Sequence, residues 1–291
     1  MNFYNDFIDL HTHSDRSDGS LSPSELIRYA ASKNLAAIAL SDHDTMAGIQ
    51  EAIEAAEQEN IRFIPAIELG AVYKDKEVHI LGYIFDDYEE KRHDIDEMIQ
   101  SFSDKRRRRN IEIIERLAED KIILPFEEIE EEAEGSSITR IHIAKALIKR
   151  NYADSISSAF EKYLDDDSKY VPKKSILVED VMDFFKRFGF YTSLAHPCRY
   201  KLSSGELEEL TSVLTQMGLD ALEVYHSSQT QADNTMLKKL AIKHKLGITG
   251  GSDFHGANKP DIDIGVGYGS LRIPLCVLED MEKRFNSDRS I

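Results

Sequence analysis

Short apolar segments of strand length recur along this chain between helical stretches, and nearly every one runs into a histidine or a carboxylate. Residues 7–10 lead to His11 and His13, residues 35–40 lead to Asp42 and His43, and residues 62–69 include Glu68 near their end. Residues 77–85 hold His79, while residues 191–195, 221–225 and 247–250 precede His196, His226 and the Asp253/His255 pair. Strands alternating with helices point to parallel βα units, because a helical crossover returns the chain to the edge it left. At least seven strands result. The economical architecture is an α/β barrel of parallel strands with helices outside, whose C-terminal strand ends share one mouth.

Local signals agree with that rhythm. Ser22-Pro23-Ser24-Glu25 predicts a helix start, with Ser22 as N-cap, proline at the first helical position and Glu25 closing a capping box. Further helices are expected over 45–59, 178–188, 205–217 and 229–244. Between Tyr88 and about Pro172 the pattern changes to charged helices without strands, so residues 88–171 read as a helical insertion in a barrel domain made of 1–87 and 172–291. The insertion carries the run Lys105-Arg106-Arg107-Arg108-Arg109, and a charge run on a helix reads as a solvated face, with a role toward substrate as the alternative. His93, His142 and His244 fall on helices, where structural or exposed roles are expected.

Composition narrows the partners. A formal charge of −17 over 291 residues opposes binding to duplex DNA, whose affinity comes largely from basic side chains displacing counterions. It does not oppose a small phosphorylated ligand, because a local cation cluster can dominate the field inside a pocket. No stretch approaches the ~18 apolar residues of a membrane span, and Met1-Asn2-Phe3-Tyr4 does not open a signal sequence, so no membrane partner and a cytoplasmic protein are expected. A monomer is the expected state. The two cysteines, Cys198 and Cys276, form no CxxC pair, so any metal must be held by nitrogen and oxygen.

The strand-end residues are the right types for that. In an extended segment residues i and i+2 share a face, so His11/His13 and Asp253/His255 can each offer two ligands to one point, with Asp18 in the loop nearby. Asp42 and His43 project oppositely, which favours His43 as the ligand and Asp42 as its orienting partner. Six histidines and three carboxylates without sulfur suit Zn, Mn or Fe. They exceed one ion's needs. Three ions with about three ligands each, and Glu68 bridging two, would leave the site cationic and attractive to an anionic substrate.

The blocks DLHTHSDRSDGSLSP, SDHDT, PAIELG, VHILGY, SLAHPCRY and GGSDFHG, spread over residues 7–86 and 191–256, resemble in order and content the motifs of the PHP (polymerase and histidinol phosphatase) domain family. The resemblance implies a distorted (βα)7 barrel and a trinuclear site ligated by His11, His13, Asp18, His43, Glu68, His79, His196, Asp253 and His255. The long insertion and Thr139-Arg140-Ile141-His142-Ile143-Ala144 resemble the branch acting on nucleoside 3′,5′-bisphosphates and on 5′ ends of short oligonucleotides. By that likeness Arg140 and Arg199 would hold phosphate, although Ile141 stands where the branch usually has proline.

The activity so implied is phosphate ester hydrolysis through in-line attack by a metal-bridging hydroxide, with three divalent or Fe ions as cofactors and a nucleotide or short oligonucleotide as substrate. The leaving-group acid stays open between a metal-bound water and His226, and a plain hydrogen-bonding role for His226 is equally open. Three alternatives use the same motifs: a histidinol-phosphate phosphatase, a proofreading module like those attached to replicative polymerases, and a non-catalytic metal-binding regulatory module.

Overall fold

The computed structural model describes residues 7–74, 76–133, 138–165, 167–172 and 176–288. The barrel strands are β1 (Phe7–Asp9), β2 (Ala37–Leu40), β3 (Arg62–Tyr73), β4 (Lys76–Tyr83), β5 (Tyr191–Leu194), β6 (Ala221–His226), β7 (Gly247–Gly251) and β8 (Ile273–Pro274). They form one sheet in the order β7-β6-β5-β4-β3-β2-β1-β8. Beyond β1 the chain closes the sheet onto the end of β7: Leu10 N–H donates to Gly250 O at 3.2 Å and His13 N–H to Phe254 O at 2.9 Å. Closure depends on Gly251, because a Cβ there would sit 2.1 Å from the Cβ of His11.

The α/β barrel is thus present, and its distortion has a definite form. β3 and β4 pair antiparallel, as do β4 and β5, whereas β1, β2, β3 and β5, β6, β7 pair parallel. The expected all-parallel arrangement is therefore corrected at β4, which runs against its neighbours. The cause is connection length. Tyr73 and Lys76 are the paired ends of a hairpin, and a parallel return needs a dozen or more residues. Because β4 is reversed, its first residues rather than its last lie at the mouth, and so do Glu77 and His79.

Alternation along the strands sorts the core. Ala37, Ile64, Ala66, Leu81, Tyr83, Tyr191 and Ala221 point into the barrel. Val277, Leu278, Met281 and Phe285 of α10 (Cys276–Asp288) pack against them where the parallel strands begin. Residues of the other parity, such as Ile38, Leu40 and Leu222, meet an outer layer of helices. That layer comprises α1 (Pro23–Ser32), α2 (Ile49–Glu59), α7 (Val178–Phe188), α8 (Ser204–Met217) and α9 (Gln231–His244). The α1 capping box forms as expected: Ser22 Oγ accepts from Glu25 N–H at 3.3 Å and Glu25 Oε2 accepts from Ser22 N–H at 2.9 Å.

Between β4 and β5 lie α3 (Tyr88–Glu119), α4 (Phe126–Glu132), α5 (Arg140–Lys149) and α6 (Ile156–Ala159), the last running into a π-helical turn at Phe160–Leu164. The first half of α3 packs on the barrel's helices, its Phe102 ring 5.6 Å from that of Phe184 in α7. Its second half contributes Ile113 and Leu117 to a separate apolar cluster with Ile129, Ile143, Leu147 and Leu164. Asp87 caps α3 by accepting from Glu89 N–H at 3.0 Å. Among the described residues no helix is long and apolar enough to cross a membrane.

Candidate metal centre

Glu68 is the hub of the mouth. It is fully buried on β3, where inward parity aims its carboxylate into the barrel. Its Oε2 lies 3.2 Å from His11 Nε2, 3.3 Å from His13 Nε2 and 3.2 Å from His43 Nδ1. Its Oε1 lies 2.9 Å from His79 Nδ1 and 3.0 Å from His196 Nε2. Five imidazoles from four stretches of chain thus meet one carboxylate. Asp253 Oδ1 adds contacts at 3.4 Å to His13 Nε2 and 3.7 Å to His11 Nε2, and Asp18 Oδ1 lies 3.1 Å from His255 Nε2.

These atoms fall into groups whose donors all lie within 4.8 Å of one another: His13/Asp18/His43/His255, His11/His13/Asp253, His11/Glu68/His196 and His43/Glu68/His79. Every one of the nine residues picked out above belongs to at least one group. The donor set fits divalent cations on a second count. Both ring nitrogens of His13 are buried without a hydrogen-bond partner among the described residues, although carboxylate oxygens of Asp18, Glu68 and Asp253 stand near them. Buried nitrogens facing carboxylates without hydrogen-bond geometry suit a cation between them better than a proton.

The surroundings hold these rings in place, and one contributor had not been anticipated. Glu223, fully buried on β6, accepts from His11 Nδ1 at 2.9 Å and from the His196 backbone N–H at 2.6 Å. The first contact puts the His11 proton on Nδ1 and leaves Nε2 free to ligate. The second braces a backbone in the positive-φ region, where His196 has φ 29°. A lone glutamate in the apolar strand ALEVYH, in register with inward-facing Ala221, was the available signal. A further donor group joins His11 and Glu223 to His226.

Asp42 does not touch the His43 ring. Its Oδ1 accepts from Ser14 N–H at 2.7 Å and Ser17 Oγ–H at 2.6 Å, and its Oδ2 from Ser14 Oγ–H at 2.6 Å, so it pins the loop that carries His13 and Asp18. His226 lies behind Asp253 and is buried. Ser228 N–H donates to its Nδ1 at 3.1 Å, which places the ring proton on Nε2, 3.5 Å from Asp253 Oδ2. Arg199 Nη1 and Lys259 Nζ also reach Asp253 Oδ2, at 3.0 and 2.7 Å.

The centre opens onto a cavity of about 330 Å³, the size of a small-molecule site. Arg140 lines it from the insertion, giving Nη2–H to Glu77 Oε2 at 2.6 Å and Nη1–H to Leu164 O at 2.8 Å. The expectation of a solvated face for Lys105–Arg109 is corrected for two of its members: Arg106 and Arg109 are buried and line the same cavity. They are three residues apart on α3 and share a face, whereas Arg107 and Arg108 point outward. Arg106 Nε lies 2.5 Å from Asp44 Oδ2, and its Nη2 donates to Gly70 O.

Charge within the mouth is strongly coupled. Burial would lower the His13 and His79 pKa values, but carboxylates outweigh it and raise both to about 9: Asp253 and Glu68 act on His13, Glu68 and Glu77 on His79. Each of these imidazolium groups must shed a proton before its nitrogen can hold a cation. His43 is the opposite case, pushed down by burial to about 3. Against burial, which raises them, the carboxyls of Asp18, Glu68 and Asp253 are held well below the usual range by the basic groups beside them.

The PHP domain family matches residues 9–191. The chain is 34% identical over 251 residues to the 5′-3′ exoribonuclease Rnm of Escherichia coli, covering 85% of this chain and 84% of that protein. It is 30% identical over 260 residues to the 3′,5′-nucleoside bisphosphate phosphatase of Chromobacterium violaceum, covering 89% and 90%. Among solved structures, a protein from Bifidobacterium adolescentis described as a metal-dependent phosphoesterase superposes with a TM-score of 0.79 at 30% identity over 96% of each chain.

Proposed function

This chain belongs to the PHP domain family and is a metal-dependent phosphoric ester hydrolase, and from that premise we propose that its substrates are nucleotides: nucleoside 3′,5′-bisphosphates or the 5′ ends of short oligonucleotides. The observation that carries this reading is a cluster of overlapping cation-binding groups opening onto one cavity walled by arginines and by Phe160. Guanidinium forks suit phosphate oxygens, and an aromatic face suits a base. The relatives' names favour this reading over histidinol phosphate and over a non-catalytic module.

The ligands we assign are His11, His13, Asp18, His43, Glu68, His79, His196, Asp253 and His255, which would hold three ions drawn from Mn, Fe or Zn. When bound, such ions lower the pKa of water from ~15.7 toward ~7 and draw charge off phosphoryl oxygens. The chain's own residues supply orientation. Glu223 fixes the His11 tautomer, Asp42 sets the loop of His13 and Asp18, and His226 backs Asp253 with its Nε2 3.5 Å from Oδ2. Arg199 stands 48% exposed at the mouth beside Asp253, where its guanidinium can meet a substrate phosphate, and Arg140 faces it from the insertion. Residues 88–171 act in this reading as an inserted domain closing one side of the cavity, in a cytoplasmic monomer.

The test is a substrate panel on the purified full-length protein with metal supplementation: adenosine 3′,5′-bisphosphate, 5′-phosphorylated dinucleotides, nucleoside monophosphates and histidinol phosphate. Turnover of the bisphosphate or dinucleotide, lost on chelation and restored by Mn, is expected. Turnover that survives exhaustive chelation, or confined to histidinol phosphate, would overturn the reading.

A further inference from the structure

The pairing of β4 with β5 changes at its last rung before the metal centre. Ile80, Leu81, Gly82 and Tyr83 pair with Leu194, Ser193, Thr192 and Tyr191 in regular antiparallel register, and the next rung joins His79 to Ala195. At a hydrogen-bonded antiparallel rung the two residues exchange both N–H···O bonds. The first of these is direct, from Ala195 N–H to His79 O at 3.0 Å. The second is carried by a side chain: His79 N–H donates to Tyr200 Oη at 2.8 Å, and Tyr200 Oη–H donates to Ala195 O at 2.6 Å, with His79 O a longer second acceptor at 3.3 Å.

The local chain path brings the hydroxyl there. The backbone leaves β5 at Ala195, turns sharply at His196, whose φ is 29°, and makes a 3₁₀ turn over Pro197–Tyr200 in which Arg199 N–H donates to His196 O at 2.9 Å. Tyr200 is thereby folded back over the strand end, its ring edge-on to that of His196 with centroids 5.7 Å apart. Two hydrogen bonds in series span more than one, so the strands stand open by the width of a hydroxyl where their ligands are. Those ligands, His79 Nδ1 and His196 Nε2, lie 2.9 and 3.0 Å from the same oxygen, Glu68 Oε1, with ring centroids 5.1 Å apart. A direct bond in place of the bridge would draw the two backbones together and carry the rings with them.

We propose that Tyr200 is a positioning residue of the metal centre: its hydroxyl, spliced into the β4–β5 ladder, sets the spacing at which His79 and His196 hold cations together with Glu68. This rests on the metal reading above and is independent of which phosphate ester is cleaved. Ligand distances in metal sites are held to about 0.2 Å, so a rung that opens or closes by the width of a hydroxyl reaches the ions directly. The effect is also local. His79 and His196 belong to the donor groups built on Glu68, whereas the group His13/Asp18/His43/His255 contains neither.

The experiment strips the full-length protein of metal, records its melting temperature and titrates Mn²⁺ back, in wild type, Y200F and Y152F. Tyr152 is the matched control: its Oη also accepts a backbone N–H, from Ile123 at 3.2 Å, but beside the insertion's own apolar cluster. Y200F is expected to lose roughly 10- to 100-fold in affinity for Mn²⁺, the range of partners that orient ligands, while one ion per chain stays as tightly bound as in wild type at His13, Asp18, His43 and His255. Its stripped form should melt within a few degrees of stripped Y152F, and Y152F should bind Mn²⁺ as wild type does. Affinity in Y200F within about twofold of wild type overturns the proposal, and so does an equal loss in Y152F, which would report a general loosening of the fold. A raised KM with Mn²⁺ binding intact also overturns it, by making Tyr200 a substrate contact in the cavity it lines. If wild type itself takes up no Mn²⁺, the metal reading has failed, and the spacing role of Tyr200 falls with it.

Discussion

The barrel mouth and the helical segment beside it bring charge to the same cavity by different means. At the mouth, histidines and carboxylates sit on strands and strand ends whose backbones are fixed by the sheet, and each ring is held by a buried carboxylate such as Glu68 or Glu223. In the insertion, charge arrives on long arginine side chains from α3 and α5, with Asp44 and Glu77 of the barrel as counterweights. The difference is one of tolerance. Cation coordination needs donors placed to a few tenths of an ångström, which strands can supply, whereas gripping an anion needs only donors in excess and reach.

That contrast breaks most visibly at Glu68. Glu68→Ala removes the one carboxylate that five histidines share, leaving buried rings around a void. Metal content should fall below one ion per chain by elemental analysis. Phosphate ester hydrolysis should fall by roughly 10³-fold or more, beyond the ~10–100-fold typical of outer partners. Full metal content in a folded Glu68→Ala protein would mean that the mouth does not depend on a shared central ligand.

Glu223→Gln should produce a smaller effect of the same kind. The substitution keeps the shape, but the amide presents a donor to either His11 Nδ1 or the His196 N–H, so one of the two contacts turns repulsive. Metal affinity, measured by titrating metal into the stripped protein, should drop about 10–100-fold. KM for substrate in metal-saturated enzyme should move less than that affinity, since Glu223 does not face the cavity. A drop in KM-linked binding with metal affinity intact would place Glu223 on the substrate side of the comparison.

How far the sequence disclosed these two regions follows from the same physics. The barrel's metal-type residues were legible because each strand pattern is local and ends in a residue that a solvated loop has no need of. The direction of β4 was missed: the strand pattern carries no sense of direction, and only the connection, too short for a crossover, holds the signal for an antiparallel return. Glu223 was harder to find, since one carboxylate in a strand becomes informative only once its inward parity is known. Arg106 and Arg109 could not be separated from Arg107 and Arg108 on composition, because all lie in one charged run. Which face of α3 meets the barrel is decided by Phe102 and Ile99 packing a turn earlier, a tertiary fact.

The smallest expected effect tests that last division. Arg107 is exposed, its Nη2 3.1 Å from Glu130 Oε1 and its guanidinium 4.7 Å from the centre of the Phe126 ring, while exposed Arg108 donates to Asp104 O at 3.2 Å. Exposed pairs of this kind contribute about 0–1 kcal/mol, because solvent screens the charge and ordering a long side chain opposes the contact. Arg107→Ala and Arg108→Ala should therefore shift thermal stability only slightly and leave kcat/KM for adenosine 3′,5′-bisphosphate within about twofold of wild type. Glutamine at position 109, one residue further along, should change it at least tenfold. A loss in Arg108→Ala equal to that in R109Q would show that the run acts through its overall field, and the face of α3 would no longer decide which of its arginines serve the cavity.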